Sequence, residues 1–309
     1  MGRTLKLEVN LTAWTLFAIA LGLRLYRLDH PNSVVFDELH YTKFVSLYIK
    51  GIFFFDTQPP LGKQLVAVTA YFAGFDGNSS SLNSIGSPYD SNTPVKALRI
   101  LPVLSGSLVT LVIYGIVKSL HMSDKTAILT CLFYILENSF LTQSRFLLMD
   151  SMFIFFSMTG LLFTLKSREV EPLSLDWIVR LTAASIFISL GICIKFVAIY
   201  TLFSCVIIVL YDLWWLIPNK SIEAAKLWFM AAAYFVAYTV VPIFVYIFIF
   251  WIHLSWLTLT VIRVSLVGFY ATSCPTFSSK ELCFSIITFR PSCFNTFSWH
   301  PSWRSFRHG

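Results

Sequence analysis

Two adjacent carboxylates, Asp37 and Glu38, follow the apolar run Val34-Val35-Phe36 and stand beside Leu39-His40. A second polar knot lies shortly after, at Asp56-Thr57-Gln58-Pro59-Pro60-Leu61-Gly62-Lys63. A positioned carboxylate can take the proton of a hydroxyl acceptor. Neighbours in sequence point in different directions, so one of the pair would serve as base and the other as a substrate or structural contact. An alternative stays open from the residues alone: acids at a helix start interact well with the macrodipole. The cations that could face these acids are Arg24, Arg99, Arg145 and Lys195, each at the edge of, or inside, an apolar run. Charges in such runs are costly and face a cavity or a partner. Arg24 and Arg27 also fit as interfacial snorkelers, Arg99 as an end-of-helix anchor, and Arg145 with Asp150 as a structural pair. Taken together, cations and a carboxylate at one face suit a lipid-linked phosphate.

The elements that must position these residues are set by an apolar composition. Charged residues make up 13% and hydrophobic ones 56% of 309, against about a quarter charged in a soluble domain. The mean hydropathy is +0.71. The net charge of +7 comes from cations at the ends of apolar runs, a placement for topology and lipid headgroups rather than nucleic acid. The six cysteines follow neither a metal spacing nor a disulfide framework, and the six histidines are scattered, so no metal site is expected. Nor is there a phosphate-binding or dinucleotide fingerprint.

A spanning helix needs about 20 mostly apolar residues. Seven candidates meet this, near 11–28, 95–118, 126–143, 147–165, 177–194, 196–217 and 228–254. The first reads as an uncleaved signal anchor, because Arg24-Leu25-Tyr26-Arg27 follows it in place of a small-residue cleavage pattern. Lys118, His121, Lys125, Lys166, Arg168, Lys220 and Lys226 flank short loops, which the positive-inside rule puts in the cytoplasm. The domain organisation is then a cytoplasmic N-terminus with the first span (1–28), a long luminal loop (29–94), spans two to seven (95–254) and a tail (255–309). Helix parity collects Arg24, Asp37, Glu38, Asp56, Arg99, Arg145 and Lys195 on the luminal side. Within the loop, the segment from Phe44 to Phe55 predicts an interfacial helix that Asp56–Pro60 would end. Leu61–Gly74 predicts a second apolar helix. Asn78-Ser79-Ser80 is a glycosylation sequon in that loop, whereas Asn219-Lys220-Ser221 falls on the cytoplasmic side.

The residues resemble a known family. Arg24-Leu25-Tyr26-Arg27-Leu28, Val35-Phe36-Asp37-Glu38-Leu39-His40, Phe54-Phe55-Asp56 with Pro59-Pro60-Leu61-Gly62-Lys63, and Gly74-Phe75-Asp76-Gly77 are similar, in order, to the protein O-mannosyltransferases. Arg99-Ile100-Leu101-Pro102, Gln143-Ser144-Arg145 with Met149-Asp150, and the Gly191–Phe196 run with Lys195 continue the likeness to about Leu257. The resemblance implies an all-α polytopic membrane protein of the endoplasmic reticulum with a GT-C-type core and a luminal site. It implies inverting transfer of mannose from dolichyl phosphate mannose to Ser/Thr hydroxyls of secretory-pathway polypeptides, without a separate cofactor. Carried over, Asp37 would be the general base and Glu38 would contact the acceptor or hold the loop. Arg24, Arg99, Arg145 and Lys195 would meet the donor phosphate, with His40, Asp56 and Lys63 as further loop contacts. A sibling protein O-mannosyltransferase is the implied partner, in a hetero-oligomer.

The chain departs from the family after the seventh span. The family continues into a luminal β-trefoil domain and further spans, whereas 255–309 is a Ser/Phe/Cys/Arg-rich tail with neither strand nor helix patterning. It reads as an alternative or frame-shifted product rather than a folded module. Gln58 stands where several relatives have His, which puts any acid–base role there in doubt. Two competing functions are an inactive truncated product that modulates a full-length subunit, and a lipid-sugar flippase. Transporter-like repeats or paired broken helices, which the latter would use, are not visible.

Overall fold

The computed structural model describes residues 11–78, 84–217 and 224–259. Eleven α-helices run through them: α1 (Leu11–Leu25), α2 (Glu38–Ile49), α3 (Leu61–Phe72), α4 (Val95–Ser119), α5 (Asp124–Leu136), α6 (Asn138–Gln143), α7 (Asp150–Ser167), α8 (Leu175–Ile192), α9 (Ile199–Leu216), α10 (Ala224–Phe235) and α11 (Val241–Trp256). Four helical runs are long and apolar enough to cross a bilayer: α4, α8, α9 with the 3₁₀ turn before it, and the continuous Ala224–Trp256 rod. With the shorter apolar α1, they describe a multi-pass membrane protein.

The seven expected spans fall on helices with altered bounds, but neither α5 nor α7, where the third and fourth were expected, is among the runs long and apolar enough to cross. The third, expected over 126–143, is broken at Glu137, whose extended backbone ends α5 and whose carboxylate caps α6 by accepting from the Phe140 amide at 2.7 Å. α7 begins at Asp150, because 144–149 is needed as a turn. α5 and α8 open on serine caps: Ser123 accepts from the Thr126 amide and Ser174 from the Trp177 amide, with Asp124 and Asp176 in the first turns. In the loop after α1, α2 stops at Ile49, and Gly51 takes a φ of +67° that a side chain would resist. Phe53–Phe55 are therefore not helical. Instead Ile52 pairs with Leu259 in an isolated parallel bridge that ties the loop to the end of α11.

Close helix packing is made by small residues, as expected in lipid. Gly160 on α7 lies against the Ala184 carbonyl and Ile188 of α8, and Gly191 on α8 against Ser157. The long rod is interrupted by one π-helical turn, Val236–Val240, ahead of Pro242. Proline has no amide hydrogen, so a wider turn there is a low-cost way to pass it. The Ala237 carbonyl in that turn accepts from Ser185, and Tyr238 shares a hydrogen bond with Thr164.

Charge separates to the two ends of the bundle. At one end, Lys118 pairs with Asp124 and Arg168 with Asp212. At the other, α2, α3, the start of α4, the 144–150 turn and the Lys195 turn converge.

Candidate active site

Glu38 is the centre of that second end, although it is wholly buried. Its carboxylate accepts from Arg99 Nε and Nη2 (both 2.8 Å), the Leu147 amide (2.8 Å), the Val35 amide (3.0 Å) and Tyr89 Oη (3.3 Å). A bidentate arginine plus three further donors suits an acceptor-only carboxylate. Arg99 spends its remaining donors on the Leu28, Pro31 and Ser33 carbonyls. Its guanidinium also lies between the Phe146 and Tyr89 rings. Glu38 and Arg99 together pin five pieces of chain: the end of α1, the turn before α2, Tyr89, α4 and the turn before α7.

Asp37 is treated differently. Phe36 has a φ of +50°, an uncommon conformation for a bulky residue, and leads into α2, where the helical rotation between consecutive residues points the two neighbouring carboxylates in different directions. Asp37 precedes α2 without capping it through its side chain and is only half-buried; its carbonyl accepts from the His40 and Tyr41 amides, but its carboxylate forms neither a hydrogen bond nor an ion pair among the described residues. Tyr41, one turn along α2, is buried, and its phenol is pushed well above its ordinary range. Burial is the larger cause; the charges of Asp150, Asp37 and Asp56 add to it. The charges of three carboxylates from three segments thus reach one phenol.

Two of those three are paired. Lys195 Nζ donates to both oxygens of Asp150, at 2.9 and 3.0 Å, from a partly exposed position. The structural pair suggested for Arg145 and Asp150 is therefore made by Lys195 instead, because Arg145 turns to the Tyr26 and Arg27 carbonyls (2.7 and 3.2 Å). Lys63 is buried; it donates to Asp56 and to the Gln58 carbonyl (2.9 Å). Burial lowers the pKa of Lys63, and Asp56 opposes that shift.

Arg24 lies deeper, wholly buried at the end of α1. Nε donates to Ser144 Oγ (2.8 Å), Nη1 to the Ala20 carbonyl, and the guanidinium rests 5.2 Å from the Tyr134 ring centroid. His40 is exposed on α2. Asn78 is exposed and donates to Asp76; the rest of its sequon, the Asn219 sequon and the tail beyond residue 259 lie outside the described residues. The structure thus brings Asp37, Asp56, Asp150, Lys63 and Lys195 toward one locus, and uses Arg24, Arg99 and Arg145 to fix the backbone around it.

Sequence reasoning missed Tyr41, Tyr89 and His253. His253 sits inside α11, buried, with Nδ1 2.5 Å from Tyr48 Oη. A histidine within so apolar a run was the available signal; the tyrosines gave none, since aromatic residues abound.

Comparison with known proteins identifies the family. Residues 14–258 match the family model described as dolichyl-phosphate-mannose-protein mannosyltransferase. The chain is 37% identical to protein O-mannosyltransferase 1 of Drosophila melanogaster over 250 residues, covering 81% of this chain and 28% of that protein. It is likewise 37% identical to protein O-mannosyl-transferase 1 of Mus musculus over 251 residues, covering 80% and 34%. The solved S. cerevisiae protein O-mannosyltransferase Pmt1–Pmt2 complex bound to the sugar donor superposes with a TM-score of 0.79 at 29% identity, covering 83% of this chain and 35% of that one. The Archaeoglobus fulgidus oligosaccharyltransferase, at 12% identity and a TM-score of 0.53, shares the fold. The chain spans about a third of the length of these relatives. On the family match over 14–258, it belongs to the dolichyl-phosphate-mannose–protein mannosyltransferases.

Proposed function

We propose that this chain forms the reacting core for transfer of mannose from dolichyl phosphate mannose to Ser/Thr hydroxyls of polypeptides, at the luminal face of the endoplasmic reticulum membrane. The observation that carries this reading is the contrast within one dipeptide: Glu38 is saturated by five donors, while Asp37 is left free beside it. A carboxylate without a partner can receive a proton. Asp37 takes the hydrogen of the acceptor hydroxyl as its oxygen attacks the anomeric carbon. The bond from that carbon to the phosphate oxygen breaks from the opposite face, and dolichyl phosphate leaves with the electron pair; configuration inverts. Lys195 is assigned to the departing phosphate, because it is the partly exposed cation of the locus and can trade Asp150 for a phosphoryl oxygen. Arg24, Arg99 and Arg145 act through the backbone they hold, as Glu38 does. Asn78 is assigned as the luminal glycosylation site, and a sibling mannosyltransferase as the partner in a hetero-oligomer.

The test is transfer of mannose to a Ser/Thr peptide by membranes containing this chain, alone and with a full-length sibling. Transfer that Asp37→Asn abolishes supports the reading. Absence of transfer in both settings, with both chains expressed, sinks it; stable co-purification with the sibling would then favour a modulating fragment.

A further inference from the structure

The end of the bundle opposite the carboxylates holds a cavity of about 800 Å³, within the range of roughly 300–1,000 Å³ that small-molecule sites occupy. It opens among the turn after α4, the end of α7 with the turn that follows, the first turn of α8, the end of α9 and the body of α10. Since α4, α8, α9 and the rod that contains α10 are bilayer-crossing runs, a cavity at their ends lies at headgroup depth. Three charged side chains line it, the cation Arg168 and the acids Glu169 and Asp212. Arg168 grips both oxygens of Asp212 with Nε and Nη2, each at 2.8 Å, which leaves Nη1 as a spare donor. Glu169 reaches Arg180 only at 3.6 Å. Four aromatic rings complete the wall as two edge-on pairs, Trp177 with Tyr234 at 5.4 Å and Tyr211 with Trp215 at 6.1 Å. The first pair is buried and the second exposed. Among the described residues, none of these four rings carries a cation over its face.

We infer that this cavity seats the headgroup of a zwitterionic glycerophospholipid, taken from the leaflet that faces away from the carboxylates. An anionic headgroup would bring its net charge against two acids with one lining cation to offset them. A zwitterion uses both signs. Its phosphate oxygen accepts from Arg168 Nη1 in a charge-assisted bond. Its ammonium stands over the open aromatic faces, beside Asp212 and Glu169. The acyl chains run out past Tyr211 and Trp215, which are amphipathic rings suited to the interface, along the apolar outer face of α9 at Phe203, Ile207 and Leu210. Such a lipid ties α9 and α10 to the turns after α4 and α7. No group of the carboxylate locus takes part, so the inference stands apart from the reaction proposed above.

The test titrates the full chain, purified in detergent and stripped of lipid, with phosphatidylcholine, phosphatidylethanolamine and phosphatidylglycerol, and counts bound lipid by native mass spectrometry. The variants are Arg168→Gln and Trp215→Leu in the cavity, and Phe203→Leu, exposed on α9 outside it. Trp215 is exposed, so Trp215→Leu keeps the fold and decides the matter alone should Arg168→Gln lower the lipid-free thermal midpoint. The expected result is one phosphatidylcholine bound saturably, about ten-fold tighter than phosphatidylglycerol. Each cavity variant should loosen it about ten-fold, the scale of one charge-assisted or cation–π contact, and Phe203→Leu should stay within about two-fold. Phosphatidylethanolamine bound as tightly supports the site with ammonium charge as the recognised feature; weaker binding supports it with the rings selecting the quaternary group. Phosphatidylglycerol bound as tightly as phosphatidylcholine overturns the inference. So does binding that never saturates, or that a folded cavity variant leaves unchanged, since either marks annular lipid only.

Discussion

At the residue scale, one dipeptide divides two tasks by burial. Glu38 is inaccessible and matched by Arg99, so its removal leaves an arginine buried without its charge partner. Breaking such a pair costs about 3–5 kcal/mol. Glu38→Gln or Arg99→Met should therefore lower the unfolding midpoint in detergent steeply, and the double variant should recover part of the loss. A fall in transfer without loss of stability in Glu38→Gln would give Glu38 a direct contact with substrate instead. Asp37→Asn should leave stability and donor affinity within about two-fold while reducing transfer by a hundred-fold or more, the scale of a lost general base. Lys195→Ala should weaken dolichyl phosphate mannose about ten-fold, as loss of a charge-assisted contact requires, with the mutant's residual kcat readable at saturating donor. Equal loss of donor binding in Asp37→Asn and Lys195→Ala would erase the distinction between base and phosphate ligand.

At the scale of elements, the site depends on helices that approach closely and on turns that hold their angle. Gly160 sits where an added methyl would come within 2.9 Å of the Ile188 amide nitrogen and 3.0 Å of the Ala184 carbonyl oxygen. Those are backbone atoms, so the helices must separate. Gly160→Ala should cost about 1–3 kcal/mol by overpacking, read as a lower thermal midpoint. Since α7 carries Asp150 at its start and α8 leads into Lys195, the same variant should also loosen the donor. Periodicity and hydropathy made α1, α4, α8, α9 and the Ala224–Trp256 rod legible. The break at Glu137 and the early end of α2 were not, because each depends on a single cap or a left-handed glycine rather than on composition.

At the scale of the whole molecule, paired charges at both ends mark two faces of a membrane slab, and Asn78 shares its end of the bundle with the carboxylates. Endoglycosidase treatment should remove one glycan from the wild-type chain, and Asn78→Gln should abolish that shift while Asn219→Gln leaves it. The reverse pattern would invert the orientation and move the site to the cytoplasm. The family match ends at residue 258, where the Leu259 bridge fastens the last described residues to the loop below Phe53.

The sequence by itself determined the membrane class, the approximate helices, the family motifs and the residues that carry charge. Hydropathy and charge placement are one-dimensional properties, and a bilayer reads them almost directly. Only the tertiary structure decided which charges meet. Arg99 and Glu38 are 61 positions apart, Lys195 and Asp150 are 45 apart, and Tyr48 and His253 are 205 apart. Spacing does not encode such pairs; they follow from which helix faces oppose each other once the small residues let them close. The same closing step left the Asp37 carboxylate free while saturating its neighbour, because consecutive residues at a helix start point in different directions and only Glu38 points to where Arg99 and the Leu147 amide stand.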